Sequence, residues 1–316
     1  MSPGTYAVQS PVVLILFNRP DLTARVLDRI RQARPAHLYA IADGPRPDVP
    51  TDAALCHAAR ALIDTVDWPC EVQRDFAEVN LGLRIRIASG VSSAFAQFDR
   101  AIVLEDDNLP GPDFFRFCDE MLERYALDEQ VLMITGTNLF SPWRAERQSY
   151  HFARRGNSWG WASWRRAWRH YDVQMRQWEQ RALRASIRQD LGVQHYDALG
   201  FWFDADYFER KRWAMALQLA IVIRRGLCVV PSVNLMSNIG FRPDATLTTT
   251  FIAGLAELPI QPLEFPLRHP SAVSRDREYD RRYYRFRHPH RVLPRWLVWW
   301  LRELRRELRM WAAGRG

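Results

Sequence analysis

The residues best suited to chemistry are three consecutive acids, Glu105, Asp106 and Asp107, which follow the apolar run Ala101-Ile-Val-Leu and precede Pro110-Gly-Pro-Asp-Phe-Phe. A cation that bridges two phosphates needs hard oxygen ligands. Carboxylates at the mouth of a strand supply them and leave other coordination positions open. Without a cation, like charges crowded at the end of a buried strand raise one another's pKa and cost stability. The competing reading is an acidic first turn capping the next helix, a task Asp113 can already perform. Elsewhere the chain has no Ser-His-Asp order, P-loop or Gly-rich dinucleotide fingerprint. Of its histidines only His288 and His290 stand close together, in a basic tail, where they read as solvated.

The elements that must position the acids form a repeating pattern. Strands are expected near Val12–Phe17, His37–Ala42, Cys70–Arg74, Ala101–Leu104 and Val131–Thr135. Helices are expected near Asp21–Gln32, Asp52–Asp64, Ile85–Phe98 and Pro112–Tyr125. Short β-branched runs alternating with amphipathic stretches imply an α/β fold with a mostly parallel, helix-covered sheet. The turns Asn18-Arg19-Pro20, Asp43-Gly44-Pro45 and Asp106-Asp107-Asn108 fall at the carboxyl ends of these strands, the edge along which such sheets bind ligands. After Gly136 the chain becomes dense in Trp and Arg, and helices are expected to dominate. A segment rich in Pro and Arg follows from about Phe251. The expected organisation is one domain over 1–250 and a surface-wrapping tail over 251–316.

The 316 residues, 47% of them hydrophobic, are ample for a large core, which argues against disorder. Cys56, Cys70, Cys118 and Cys228 lack the spacing of metal knuckles or redox pairs, so a reduced, cytoplasmic setting is expected. The run Val12–Phe17 is too short for a signal peptide core, and no long uncharged apolar stretch spans a membrane. The net charge of +8 comes almost wholly from arginine, Lys211 being the only lysine, and favours phosphate-rich partners. Nucleic acid is the weakest of these, because the arginines are spread along the chain without a recognition motif.

Five segments taken in order are similar to the GT-A glycosyltransferases related to N-acetylglucosaminyltransferase I and its bacterial counterparts. They are Pro11-Val-Val-Leu-Ile-Leu-Phe-Asn-Arg-Pro, Ala42-Asp-Gly, Asn80-Leu-Gly-Leu, Val103-Leu-Glu-Asp-Asp-Asn-Leu-Pro-Gly-Pro-Asp-Phe-Phe and Gly160-Trp-Ala. The resemblance implies a GT-A fold and a metal-dependent, inverting transfer of sugar from a nucleotide diphosphate, a uridine one by family habit, to a polysaccharide or glycoconjugate. It matches Asp107 to the acid that ligates Mn2+ (or Mg2+), and Glu105 and Asp106 to those facing sugar and ribose. Arg19 and Asp43 match contacts to the base or phosphates, and Trp161, with Trp159, matches the wall between donor and acceptor. Judged on residue type alone, Arg19 is a solvated turn residue, Asp43 a turn former and Trp161 a core filler. Asn238, with Asn234, either contacts the donor or satisfies backbone groups of its loop.

The pattern departs from the family where a general base is needed. The motif Pro231-Ser-Val-Asn-Leu-Met-Ser-Asn-Ile-Gly-Phe is intact, but the preceding Lys211-Arg-Trp-Ala-Met-Ala holds no acid, and Leu247 stands where a histidine is expected. Asp204 and Asp206, in the aromatic cluster Phe201-Trp-Phe-Asp-Ala-Asp, and Glu209 just after it are the substitute candidates. The same acids on a helix surface pair equally well with Arg210 or Arg212. A chain that binds sugar nucleotide without transferring it is the alternative. Finally, Leu293, Trp296, Leu297, Trp300, Leu301, Leu304, Leu308 and Trp311 recur at helical spacing with arginines elsewhere around the wheel. Such a helix can lie on an anionic membrane and bring a cytoplasmic enzyme to a lipid-linked acceptor, or pack back on the domain.

Overall fold

The computed structural model of the protein describes residues 6–242, 256–287 and 295–312. Its first half follows the expected alternation: β1 (Val12–Leu16), α1 (Pro20–Ala33), β2 (His37–Ala42), α2 (Asp52–Ala61), β3 (Glu71–Phe76), α3 (Leu83–Gln97) and β4 (Arg100–Glu105). Short β5 (Asn108–Pro110), α4 (Phe114–Arg124) and β6 (Val131–Thr135) come next. β1 pairs in parallel with both β2 and β4, and β2 with β3. Side chains of β1 alternate between two cores, as a pleated strand requires. Val12, Leu14 and Leu16 pack with Val26, Leu27 and Ile30 of α1 and with Phe117 and Met121 of α4. Val13 and Ile15 point the other way, into a core with Ile87, Val91 and Phe95 of α3. Burial on both faces accounts for the unbroken apolar runs of β1 and β4.

The Trp- and Arg-dense region is less helical than expected. It contains α5 (Arg165–Trp168), α6 (Arg181–Leu191), α7 (Val193–Glu209) and α8 (Trp213–Ile223), but also β7 (Tyr150–Ala153) and β8 (Trp161–Trp164), followed by β9 (Leu227–Pro231) and β10 (Met236–Asn238). The period of β8 is two: Trp161 faces the α3 side, and Ala162 and Trp164 face the α1 side. The eight-stranded sheet runs β3-β2-β1-β4-β8-β6-β9-β7, with β8 and β7 antiparallel to their neighbours. A separate two-stranded ribbon joins β10 to β5.

The described part of the segment expected to wrap the surface is mostly exposed or half-buried, with a few buried anchors, Leu263, Leu267, Tyr279 and Asp280 among them. In α9 (Arg277–Arg287), Tyr279 and Asp280 are buried, and Asp280 accepts a 3.1 Å hydrogen bond from the backbone N–H of Arg154 and pairs with Arg275. A parallel bridge also joins Phe152 to Arg275. Leu247, His288, His290 and Leu293 lie outside the described residues. α10 (Arg295–Ala312) lies against α6 and α7 through buried Arg306, the Arg184–Glu303 pair at 3.2 Å and the Arg306–Asp204 pair at 3.5 Å. Among the described residues, no helix is long and apolar enough to cross a membrane.

His151 on β7 is sealed between Trp143 and Tyr279, and neither ring nitrogen has a hydrogen-bond partner. Burial holds its pKa down at about 4, with the Asp276 carboxylate opposing the shift. The unfolded chain therefore binds more protons than the native one between about pH 6.5 and pH 4, and stability falls as pH is lowered through that window. In urea unfolding the expected contribution of this one residue is about 3 kcal/mol. His151→Phe should flatten the wild-type slope by that amount between pH 7 and pH 4, and an unchanged slope would contradict the assignment.

Candidate active site

The end of β4 and the end of β1 lie side by side, with Ile15 in register with Glu105. Arg19, at the mouth of β1, therefore meets the acids released by β4. Its guanidinium donates to Asp106 and, at 3.1 Å, to Asp107. The backbone N–H of Phe17 also donates to Asp106 at 3.3 Å. Asp107 accepts from the Asn108 amide at 2.6 Å and from the Asn238 amide at 3.4 Å. Asn238 arrives by the β10–β5 ribbon, directly opposite Asn108. Gly240 follows: a Cβ there would come within 2.2 Å of the Asp107 carboxylate, so only glycine lets the backbone pass this close. Asn108 completes the frame, its side-chain oxygen accepting from the Gly160 N–H at 2.9 Å.

Three carboxylates stand here near one guanidinium, and two of them, Asp106 and Asp107, pair with it. Burial, together with the charges of Asp107 and Asp106, pushes the Glu105 carboxyl well above the usual range, with Arg19 opposing. Burial also raises Asp106, but Arg19 pulls it back. Among the described residues, no group of three or more His, Cys, Asp or Glu side chains could hold a metal ion by itself. The donor set fits a magnesium-like ion instead, held by one carboxylate and completed by substrate oxygens and water. Glu105 and Asp107 line the cleft and are placed to supply that ligand, whereas Asp106 lies beneath, held by Arg19.

The cleft has a volume of about 420 Å³. Arg19, Glu105, Asp107 and Asn238 line it, together with Arg155, Trp159, Trp202, Arg212, Trp213, Gly240, Phe241 and Tyr283. Trp159 and Phe241 meet edge to face at 5.6 Å. Besides Asp106, four expected residues lie outside it. Asp43 is a loop clamp, its carboxylate accepting the backbone N–H groups of Leu81 at 2.8 Å and Gly82 at 2.9 Å, and the Asn80 amide. Trp161 is wholly buried beneath the cleft, between Trp168 at 5.8 Å and Trp213 at 5.7 Å. Asp206 is buried at the end of α7 and accepts the Arg212 N–H at 3.0 Å and its Nε at 3.1 Å. Asp204 takes the Trp178 indole at 2.8 Å and pairs with Arg306 of α10. Both aspartates are thus engaged away from the cleft, and of its described lining residues only Glu105 and Asp107 are carboxylates.

Sequence reasoning missed Arg155, Gly240 and Tyr283 as site residues. Gly240 had a signal, the glycine of the intact Pro231 to Phe241 motif, whereas Arg155 and Tyr283 look like any others in arginine- and tyrosine-rich stretches.

Solved structures of sugar-handling enzymes resemble the chain. The galactosyltransferase LgtC, solved with donor and acceptor sugar analogues, matches with 12% identity and a TM-score of 0.36 over 90% of this chain and 97% of its own. Mouse xyloside xylosyltransferase 1 matches with 12% identity and a TM-score of 0.35 over 67% of this chain and 81% of its own. A UDP-glucose pyrophosphorylase complexed with UDP-glucose matches with 11% identity and a TM-score of 0.27 over 47% and 64%. No family model matches the sequence, and no curated protein matches it.

Gly240→Ala should force Asp107 or the backbone at 240 to shift, costing about 1–3 kcal/mol in chemical denaturation, as overpacking does. A fully stable variant would show that the close approach to Asp107 is not constrained.

Proposed function

We propose that the chain is a glycosyltransferase that moves a sugar from a nucleotide diphosphate, a uridine one by the sequence resemblance, to a glycan acceptor. The observation that supports this best is the excess of carboxylate at the end of β4, opening into a cleft walled by Trp159, Trp202, Trp213 and Phe241. Bound at Asp107, a divalent cation, manganese or magnesium, would offset that charge and neutralise the diphosphate leaving group. Asn108 and Asn238 orient the Asp107 carboxylate, and Gly240 lets the loop close over it. Arg19 presents a guanidinium at the same place for phosphate or base. The aromatic walls suit the faces of sugar rings.

One observation favours a second reading, binding without transfer: Asp204 and Asp206, the acids offered as general base, are committed to Arg306, Trp178 and Arg212. Calorimetry with UDP, with and without manganese, tests the site that both readings share. Manganese should tighten UDP binding by tenfold or more in the wild type and by less than twofold in Asp107→Ala. Equal coupling in the two proteins would remove the basis of either reading. Release of sugar from a panel of UDP-sugars then separates them, turnover supporting transfer and binding alone the silent form.

We further propose that the enzyme works at the cytoplasmic face of an anionic membrane, on cell-envelope polysaccharide or a lipid-linked glycan. α10 is held to the protein through Arg306 and Glu303, while Trp300, Leu301, Leu304, Leu308 and Trp311 are all exposed. At 100° per residue these five fall on one side of the helix, and exposed Arg305 stands next to them. Tryptophan and leucine outward with arginine beside them is the composition of helices that lie in a headgroup layer. In flotation with vesicles containing phosphatidylglycerol, wild type should rise with the lipid, and Trp300→Ser/Leu304→Ser/Trp311→Ser should stay at the bottom. Equal partitioning of both would refute attachment by this face.

A further inference from the structure

We propose that the end of the cleft remote from Asp107 is an acceptor subsite for an anionic sugar, one bearing a carboxylate or a phosphate, and that Arg155 selects it. This inference rests on the glycosyltransferase reading above.

The placement follows from sheet order. Asp107 stands at the carboxyl end of β4, whereas Arg155 comes two residues after β7, the edge strand four places along the order β4-β8-β6-β9-β7, whose antiparallel run ends opposite Cys228 at the start of β9 and so at the other edge of the sheet. Four strand spacings of about 4.8 Å put roughly 19 Å between them across the sheet, before their offset along the strands is added. The loop from Arg155 to Trp159 runs back over β9 and β6, with Gly156 against Met133 and Cys228, and lines the cleft throughout its length. Trp159 marks the near end, its ring against that of Phe241. Arg155 marks the far end, its guanidinium over the ring of Tyr283 at 4.8 Å. Arg19 already supplies a cation beside the acids, so the far guanidinium is not needed for a diphosphate held there.

Charge distinguishes Arg155 from the other two arginines of the cleft. Arg19 is paired with Asp106 and Asp107, and Arg212 with Asp206. Among the described residues no carboxylate lies within ion-pairing distance of Arg155, although it is half-buried. Its neighbour Arg154, by contrast, pairs with Asp190 at 3.2 Å. A half-buried guanidinium stacked on a tyrosine and lacking a counterion is a ready bidentate partner for a carboxylate or phosphate. Around it the cleft offers neutral polar groups, Asn157, Ser158 and Gln218, suited to sugar hydroxyls. Tyr283 belongs to α9, so the late segment of the chain would help to choose the acceptor.

The test uses full-length protein saturated with UDP and manganese, and measures binding of glucose, glucuronate and glucose 6-phosphate by ligand-observed NMR. Wild type should bind one or both anionic sugars at least tenfold more tightly than glucose. Arg155→Gln should abolish that preference while leaving UDP affinity within twofold, and Arg155→Lys should keep part of it. Three results would overturn the proposal: no charge preference in the wild type, a preference that survives Arg155→Gln, or an equal loss of UDP affinity in the variant, which would place Arg155 at the donor. Failure of the wild type to bind UDP with manganese would strike the glycosyltransferase reading itself, and that measurement is independent of the acidic preference.

Discussion

Three carboxylates compressed onto one guanidinium at the end of β4 are the constraint around which the rest is arranged. Glu105 and Asp106 are held above the usual carboxylate range by burial and mutual repulsion, and Arg19 offsets only part of that cost. Structure around the acids supplies what one arginine cannot: the Phe17 N–H for Asp106, two asparagine amides for Asp107 and a glycine that leaves room for its carboxylate. Buried charge is tolerated only when it is paired or hydrogen-bonded. A ligand that brings positive charge gains from this arrangement without having to build it.

Beneath the acids the sheet is stiffened by a tryptophan layer. Trp161 on β8 lies between Trp168 of α5 and Trp213 at the start of α8. Trp213 is also a wall of the cleft, so the same residue joins the core to the site. Asp206 fixes the start of α8 by accepting the Arg212 N–H and side chain. That bond sets Arg212 over Trp202 at 4.5 Å, another wall residue. An acid placed to shape a cleft from behind is chemically different from one facing into it.

Much of this was legible in the residues. The expected strands and helices from Val12 to Thr135 are all present within a few residues, because β-branched runs and amphipathic stretches alternate cleanly there. The acids fall at a strand end beside Arg19, as their position between an apolar run and Pro110 implied. Asp43, Trp161, Asp204 and Asp206 show the limit: type and spacing say that an acid or indole matters, but not which way it points. Asp43 spends its oxygens on backbone N–H groups of a loop 38 and 39 residues later, a long-range fact that no local pattern encodes. In the Trp-rich region, side chains that fill cores on either helix or strand concealed the period of two in β8. The late segment looked peripheral because its arginines dominate its composition, yet one buried aspartate, Asp280, ties it to β7.

The ribbon of β5 with β10 joins Asn108 to Asn238, partners 130 positions apart. Contacts of such separation form only after the intervening chain has closed a long loop, which slows their formation relative to local structure. A nascent chain emerging from the ribosome can complete β1 through β4 and still have an unframed acidic terminus. Synthesis must pass residue 240 before Asp107 acquires its second amide and its glycine neighbour. Ligand-binding competence is thus acquired well after the sheet strands that carry the acids have been made.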